Sequence, residues 1–177
     1  AAHPDGVDLA SVVVVGSPLD FGDPDPVMRR VLGLAPLFLT RTLSTRTGAR
    51  FLSHRRDGAY WGAKDLLFNP AAIDADAAAR MLEAVVSPLA RGEFRQIARS
   101  RRHDGAFVSA DDSVAYAQAL GHVQIPMLFL AGRADRIVQP DRVRAFHDAV
   151  GSPDKAFHVL SRAAGDAADY GHLDLGV

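Results

Sequence analysis

Residues 125–140 read IPMLFLAGRADRIVQP. Pro126 opens an apolar run, Met127-Leu128-Phe129-Leu130-Ala131, which Gly132 closes. A short, unbroken apolar run between turn signals reads as a strand buried on both faces, the pattern of a parallel sheet. Pro140 then suits the first turn of a helix, where the N–H it lacks has no intrahelical partner. Val143, Phe146 and Val150 continue at helical spacing, Gly151-Ser152-Pro153 breaks the helix, and Lys155–Leu160 reads as the next strand. Strand, helix and strand in this order form a parallel pair joined by a right-handed crossover.

Working outward, Leu9-Ala10-Ser11-Val12-Val13-Val14-Val15 is a second Val-rich run, bounded by Gly16-Ser17-Pro18. It reads as another strand of the same sheet. Pro18, Pro24 and Pro26 then enforce a loop. The intervening stretch is helical in pattern. Val27 to about Leu43 has helical spacing, interrupted at Pro36. Asp74 suits the N-cap of a helix running to about Val86, with Ala77, Met81, Leu82 and Val85 on one face. Pro88 to about Arg102 is a further helix, and Asp112 or Ser113 caps a short one through Leu120. Residues 161–177, rich in Gly, Ala and Asp, read as loop.

The 177 residues form one domain by length, with 48% hydrophobic and 23% charged residues. These values exclude disordered, collagen-like and coiled-coil chains. A net charge of -1 provides no global field for nucleic acid or an anionic membrane. There are no cysteines, so thiolate metal sites and cysteine nucleophiles are excluded within the chain. No apolar run approaches the ~18–20 residues of a membrane helix. Only Lys64 and Lys155 are lysine among 20 Lys+Arg, and only Glu83 and Glu93 are glutamate among 21 Asp+Glu. This skew reads as GC-rich coding, not function.

Two segments hold the chemistry. Gly132-Arg133-Ala134-Asp135 follows one strand, and Tyr170-Gly171-His172-Leu173-Asp174 follows the next. Active groups of a parallel sheet lie just past the carboxyl ends of its strands. Asp135 and His172 are therefore expected on one edge, in neighbouring loops. A carboxylate that takes the proton of one ring nitrogen fixes the tautomer, and the other nitrogen is then free to deprotonate a nucleophile. Gly171 leaves room where the loop turns toward the cleft. Asp174 is a competing acid whose alternative role is to anchor that loop. His3, His54, His103, His122, His147 and His158 form no i, i+4 pair, so no metal site is expected. Arg91, Arg95, Arg99, Arg101 and Arg102 lack interleaved aromatics and read as a solvated helix face rather than a nucleic-acid patch.

These segments resemble the α/β-hydrolases. The matching pieces are IPMLFLAGRADRIVQP, GSPDKAFHVL and YGHLDL, with GSPLDF at residues 16–21 ahead of the helical stretch. The resemblance is nearest to bacterial serine hydrolases related to polyhydroxyalkanoate synthases and lipases. It implies a partial parallel-sheet α/β-hydrolase fold comprising the last three strands, with a helical cap insertion. Residues 1–22 are then a core strand and loop, 23–122 the cap, and 123–177 the C-terminal core. Asp135 is the implied catalytic acid and His172 the implied base. Among the aromatics, Phe21, Tyr60, Trp61, Phe68 and Phe94 line either an acyl pocket or the small core of the cap, and Phe21 and Trp61 are the candidate substrate contacts. The family's nucleophile stands on a G-x-S-x-G turn, and no such segment occurs in the sequence. Ser17 follows the wrong strand for that role.

The chain begins Ala1-Ala2-His3-Pro4 without methionine and ends just past the histidine loop. A fragment is therefore expected, with its serine and oxyanion hole supplied upstream and the isolated chain inactive on esters. No metal or organic cofactor is needed. The partner is a small acyl or ester substrate, the oligomeric state is open, and a cytoplasmic location is favoured. Two alternatives stand beside the hydrolase: an acyltransferase like a polyhydroxyalkanoate synthase, with a cysteine nucleophile, and a non-catalytic remnant that binds a ligand or partner.

Overall fold

The structure, a computed structural model, describes residues 8–20, 26, 29–30, 65–85, 92, 96, 99–100, 106–109 and 111–176. Its centre is a three-stranded parallel sheet in the order β1 (Val12–Val15), β2 (Met127–Gly132), β3 (Lys155–Leu160). Val14 pairs with Phe129, and Phe129 with Phe157, so side chains alternate in register across all three strands. The helix α1 (Ala75–Val85) and the short α2 (Tyr116–Ala119) precede β2, and α3 (Pro140–Ala149) links β2 to β3. Among the described residues no helix is long and apolar enough to cross a membrane.

One face of the sheet is closed by α3. Val14, Phe129 and Ala131 pack there with Val138, Val143 and Val150, and Phe129 and Val143 are fully buried. Phe129 meets the Phe146 ring edge-on, with centroids 5.3 Å apart. Pro140 stands in the first turn of α3 as its sequence suggests. At the other end, the Lys155 ammonium donates to the carbonyls of His147, Asp148 and Val150, supplying a donor to the carbonyls exposed at the helix C-terminus.

The opposite face differs from the expectation of strands buried on both sides. Val13 is 57% exposed, Val15 42% and Leu128 37%. The alternation of a strand sends these side chains away from α3, and among the described residues no helix covers them.

Asp74 caps α1 through its Oδ1, which accepts from the N–H groups of Asp76 and Ala77 at 3.0 and 2.8 Å. The buried stripe of α1 is Ala78 and Leu82, an i, i+4 pair, with Met81 beside it. Ala77 lies only at its margin, and the Val85 side chain is outside the described residues. Phe68 belongs to this second cluster and is core. Helix α2 departs from expectation as well, because its N-cap is Ala115, with no side-chain cap. Asp111 explains why. Its Oδ1 accepts from the hydroxyls of Ser109 and Ser113 and from the Ser113 N–H, so these side chains close a turn on themselves instead of capping the helix. Arg99 is also more than solvated: it donates to the Ser109 carbonyl at 3.0 Å. The final segment, read as loop, contains 3-10 turns at Arg162–Ala164 and Leu173–Gly176. The remaining helices expected between residues 27 and 102 lie largely outside the described residues.

Candidate active site

Parallel pairing of β2 with β3 puts the loops after both strands at one end of the sheet. The loop after β2 turns at once: the Asp135 N–H donates to the Gly132 carbonyl at 3.1 Å. One oxygen of Asp135, Oδ1, then accepts from the N–H groups of Ile137 and Val138 at 2.9 and 2.8 Å. That is an Asx-type turn, in which a short carboxylate side chain takes the place of a carbonyl. It locks the rotamer and leaves Oδ2 free to point across the loop.

Oδ2 meets Nδ1 of His172 at 2.8 Å. The Asp135 side chain is fully buried, and His172 is 25% exposed. A carboxylate only accepts hydrogen bonds, so Nδ1 bears the shared proton and Nε2 of a neutral ring is an acceptor. Among the described residues no partner meets Nε2. The arrangement can therefore take a proton at a fixed, partly open nitrogen while a buried acid supports the positive ring that results.

Gly16, the residue after β1, completes this wall. Its φ is +50°, a left-handed conformation that is easy only for glycine. A Cβ built there would lie 3.1 Å from Leu175 Cδ1 and 3.4 Å from both Asp135 Oδ2 and His172 Nδ1. Ser17 is turned away, since its hydroxyl donates to the Val15 carbonyl at 3.2 Å. Two residues beyond Gly16, Pro18 and Leu19 enter an apolar cavity of about 390 Å³, lined also by Gln96, Phe107, Tyr116, Leu120 and Phe146. Asp20 ties this loop to α3 through Arg142 at 3.3 Å.

The histidine loop is held from several sides. The Ala134 N–H donates to the Tyr170 carbonyl at 2.9 Å, joining the two site loops directly. The Arg162 N–H donates to Asp169 Oδ1 at 3.1 Å. Asn69, which the sequence does not single out, donates from Nδ2 to the Asp169 carbonyl. Asp174 is wholly buried and does not touch the imidazole; its Oδ2 accepts from the Gly171 N–H at 2.9 Å. Of the sequence-derived site residues, the structure thus brings Asp135 and His172 together. Phe21 and Trp61 lie outside the described residues.

The fold has counterparts among solved structures. The monoacylglycerol lipase of Paleococcus ferrophilus superposes with a TM-score of 0.53 at 16% identity, over 96% of this chain and 52% of that one. BpoC from Mycobacterium tuberculosis H37Rv gives 0.51 at 18% identity, over 94% and 52%. Rv0554 from the same organism gives 0.50 at 16% identity, over 94% and 51%. The Hydrolase_4 family model, serine aminopeptidase S33, matches residues 107–164. At 16–18% identity the likeness is one of fold, the α/β-hydrolase fold. The chain spans about half the length of these solved structures. No curated protein matches it.

Proposed function

We propose that this chain supplies the acid and base of a serine α/β-hydrolase that cleaves carboxylic esters or related acyl compounds. The observation that carries the reading is the 2.8 Å contact between buried Asp135 and His172 in the loops after adjacent parallel strands, with no partner on Nε2 among the described residues. In the reaction, Nε2 takes the proton of a serine hydroxyl as its oxygen attacks the acyl carbonyl. It then returns that proton to the departing alcohol, leaving an acyl-serine. A water that gives its proton to the same Nε2 attacks this ester, and the acid is released as the serine oxygen recovers the proton. Asp135 holds the Nδ1–H tautomer and steadies the imidazolium each time it forms. The serine and the oxyanion donors come from outside these 177 residues, since the sequence has no G-x-S-x-G turn.

The cavity beside Pro18 and Leu19 is the room assigned to the acyl part. A chain spans at most ~3.6 Å per residue, so Pro18 lies within about 7 Å of Gly16 at the acid–base pair. The segment at 23–122 acts as a cap over that room, with Phe21 and Trp61 as further acyl contacts. Leu19→Trp would narrow the cavity and shift preference toward short acyl chains, as read from kcat/KM across p-nitrophenyl esters of increasing length. Unchanged preference in both Leu19→Trp and Trp61→Ala would remove the assignment.

The central test uses the chain alone and the protein that includes its nucleophile. The purified 177-residue chain is expected not to hydrolyse p-nitrophenyl butyrate. With the nucleophile present, a fluorophosphonate should label a single serine. His172→Ala should then lower kcat by roughly 10⁶-fold and Asp135→Asn by roughly 10⁴-fold, the usual losses when the triad base is removed or its tautomer is disturbed. Labelling of a cysteine by an electrophilic probe would move the reading to acyl transfer, and full activity in His172→Ala would end it.

A further inference from the structure

Asp174 is fully buried, yet the chemistry proposed above gives it no part. A buried carboxylate is costly unless it is well supplied with donors. Here, among the described residues, its donors are backbone amides rather than a cation. Oδ2 accepts from Gly171 N at 2.9 Å, and both oxygens face Asn69 N at a long 3.4 Å. An apolar residue of similar volume would fill the same space without that desolvation. What the carboxylate does instead is geometric. It closes residues 171–174 into a turn with His172 inside it, and joins that turn to the backbone of Asn69.

We infer that Asp174 is a positioning residue for His172, and that Asn69 is the point at which the segment at 65–85 holds the histidine loop. Asn69 grips the loop twice, through its own N–H toward Asp174 and through Nδ2 to the Asp169 carbonyl, while its Oδ1 is fixed by the Ala71 N–H at 3.0 Å. An apolar contact lies alongside: Leu173, the neighbour of His172, packs on the cluster of Phe68, Ala78 and Leu82. Gly171 makes the approach possible. A Cβ there would stand 2.7 Å from Asn69 N, 2.7 Å from Asp174 Oδ1 and 2.8 Å from the Phe68 carbonyl carbon. Polar clamp and apolar contact together aim Nδ1 at Asp135.

The inference rests on the reading of His172 as the base, but its test observes the hydrogen bond and not turnover. In the 177-residue chain labelled with ¹⁵N-histidine, the Nδ1-bound proton of His172 gives a slowly exchanging signal, assigned by its loss in His172→Gln and in Asp135→Asn. Asp174→Ala should abolish that signal or speed its exchange by about tenfold or more, with the amide spectrum of the three strands unchanged. Asp174→Asn keeps one acceptor oxygen and should restore part of the protection. A wild-type His172 signal in Asp174→Ala overturns the inference. Should Asp174→Ala fail to fold, the wild-type chain still decides. Its Gly171 amide must exchange at least about tenfold more slowly than an open loop amide, and free exchange there overturns the inference equally. Absence of hydrolysis from the nucleophile-bearing protein would count against the proposed function and leave this result untouched.

Discussion

Two buried carboxylates flank the histidine loop, and their partners separate their roles. Asp135 divides its oxygens between two backbone amides and an imidazole, whereas Asp174 gives both of its oxygens to backbone. Gly16 presses on the first of these sites from the neighbouring strand. Gly16→Ala should cost about 1–2 kcal/mol for its left-handed backbone alone. It should also weaken the His172–Asp135 contact, because the new methyl group stands 3.4 Å from both partners. Urea melts read the first effect and the His172 Nδ1–H signal reads the second; a variant matching wild type in both would remove Gly16 from the site wall. Asp135 and His172 were legible in the sequence because each is the end of a recognisable strand-and-turn unit. Asn69 was not. It lies 105 positions from Asp174, and no local pattern announces a contact made across that distance.

At the scale of elements, the pattern that could be read was the one that repeats. The apolar runs at β1 and β2, Pro140 at the head of α3 and Asp74 at the head of α1 each follow a local rule, and the structure shows all four. The head of α2 escaped because Asp111 out-competed it. That carboxyl is held well below the usual carboxylate range, first by the Ser109 hydroxyl, then by the hydroxyl and N–H of Ser113. A lowered folded value stabilises the turn above the ordinary Asp pKa of ~3.9, and the benefit fades as pH falls through the folded value. Ser109→Ala should therefore move the Asp111 midpoint upward in a ¹³C carboxyl titration, and a static midpoint would assign the effect elsewhere. The packing of β2 on α3 is tested differently. Phe129 is fully buried between Phe146 and His147, with centroids 5.3 and 5.4 Å away. Phe129→Ala should destabilise the chain by about 3–5 kcal/mol, since a large ring leaves a cavity that rigid neighbours cannot fill. Calorimetry checks this, and a loss under about 1 kcal/mol would mean that the α3 face is not the main core.

Among the described residues, the two faces of the sheet are unequal. The α3 face of the sheet is closed, while Val13, Val15 and Leu128 present 57%, 42% and 37% of their surface on the other. A parallel sheet is ordinarily covered on both faces, because its backbone connections place helices there. Exposed apolar area of this kind associates in water unless charge opposes it, and the net charge of -1 offers little opposition. The purified chain should therefore self-associate as its concentration rises. Val13→Lys with Leu128→Lys should return it to monomer while leaving the α3 face, and so the Asp135–His172 contact, in place. Sedimentation velocity measures the first expectation and the His172 Nδ1–H signal the second. A wild-type chain that stays monomeric at high concentration would show that this face is covered within the molecule. A double variant that dissociates but loses the His172 signal would show that covering the open face also holds the two site loops in register. The sheet's far side would then contribute to the geometry on which the proposed chemistry depends.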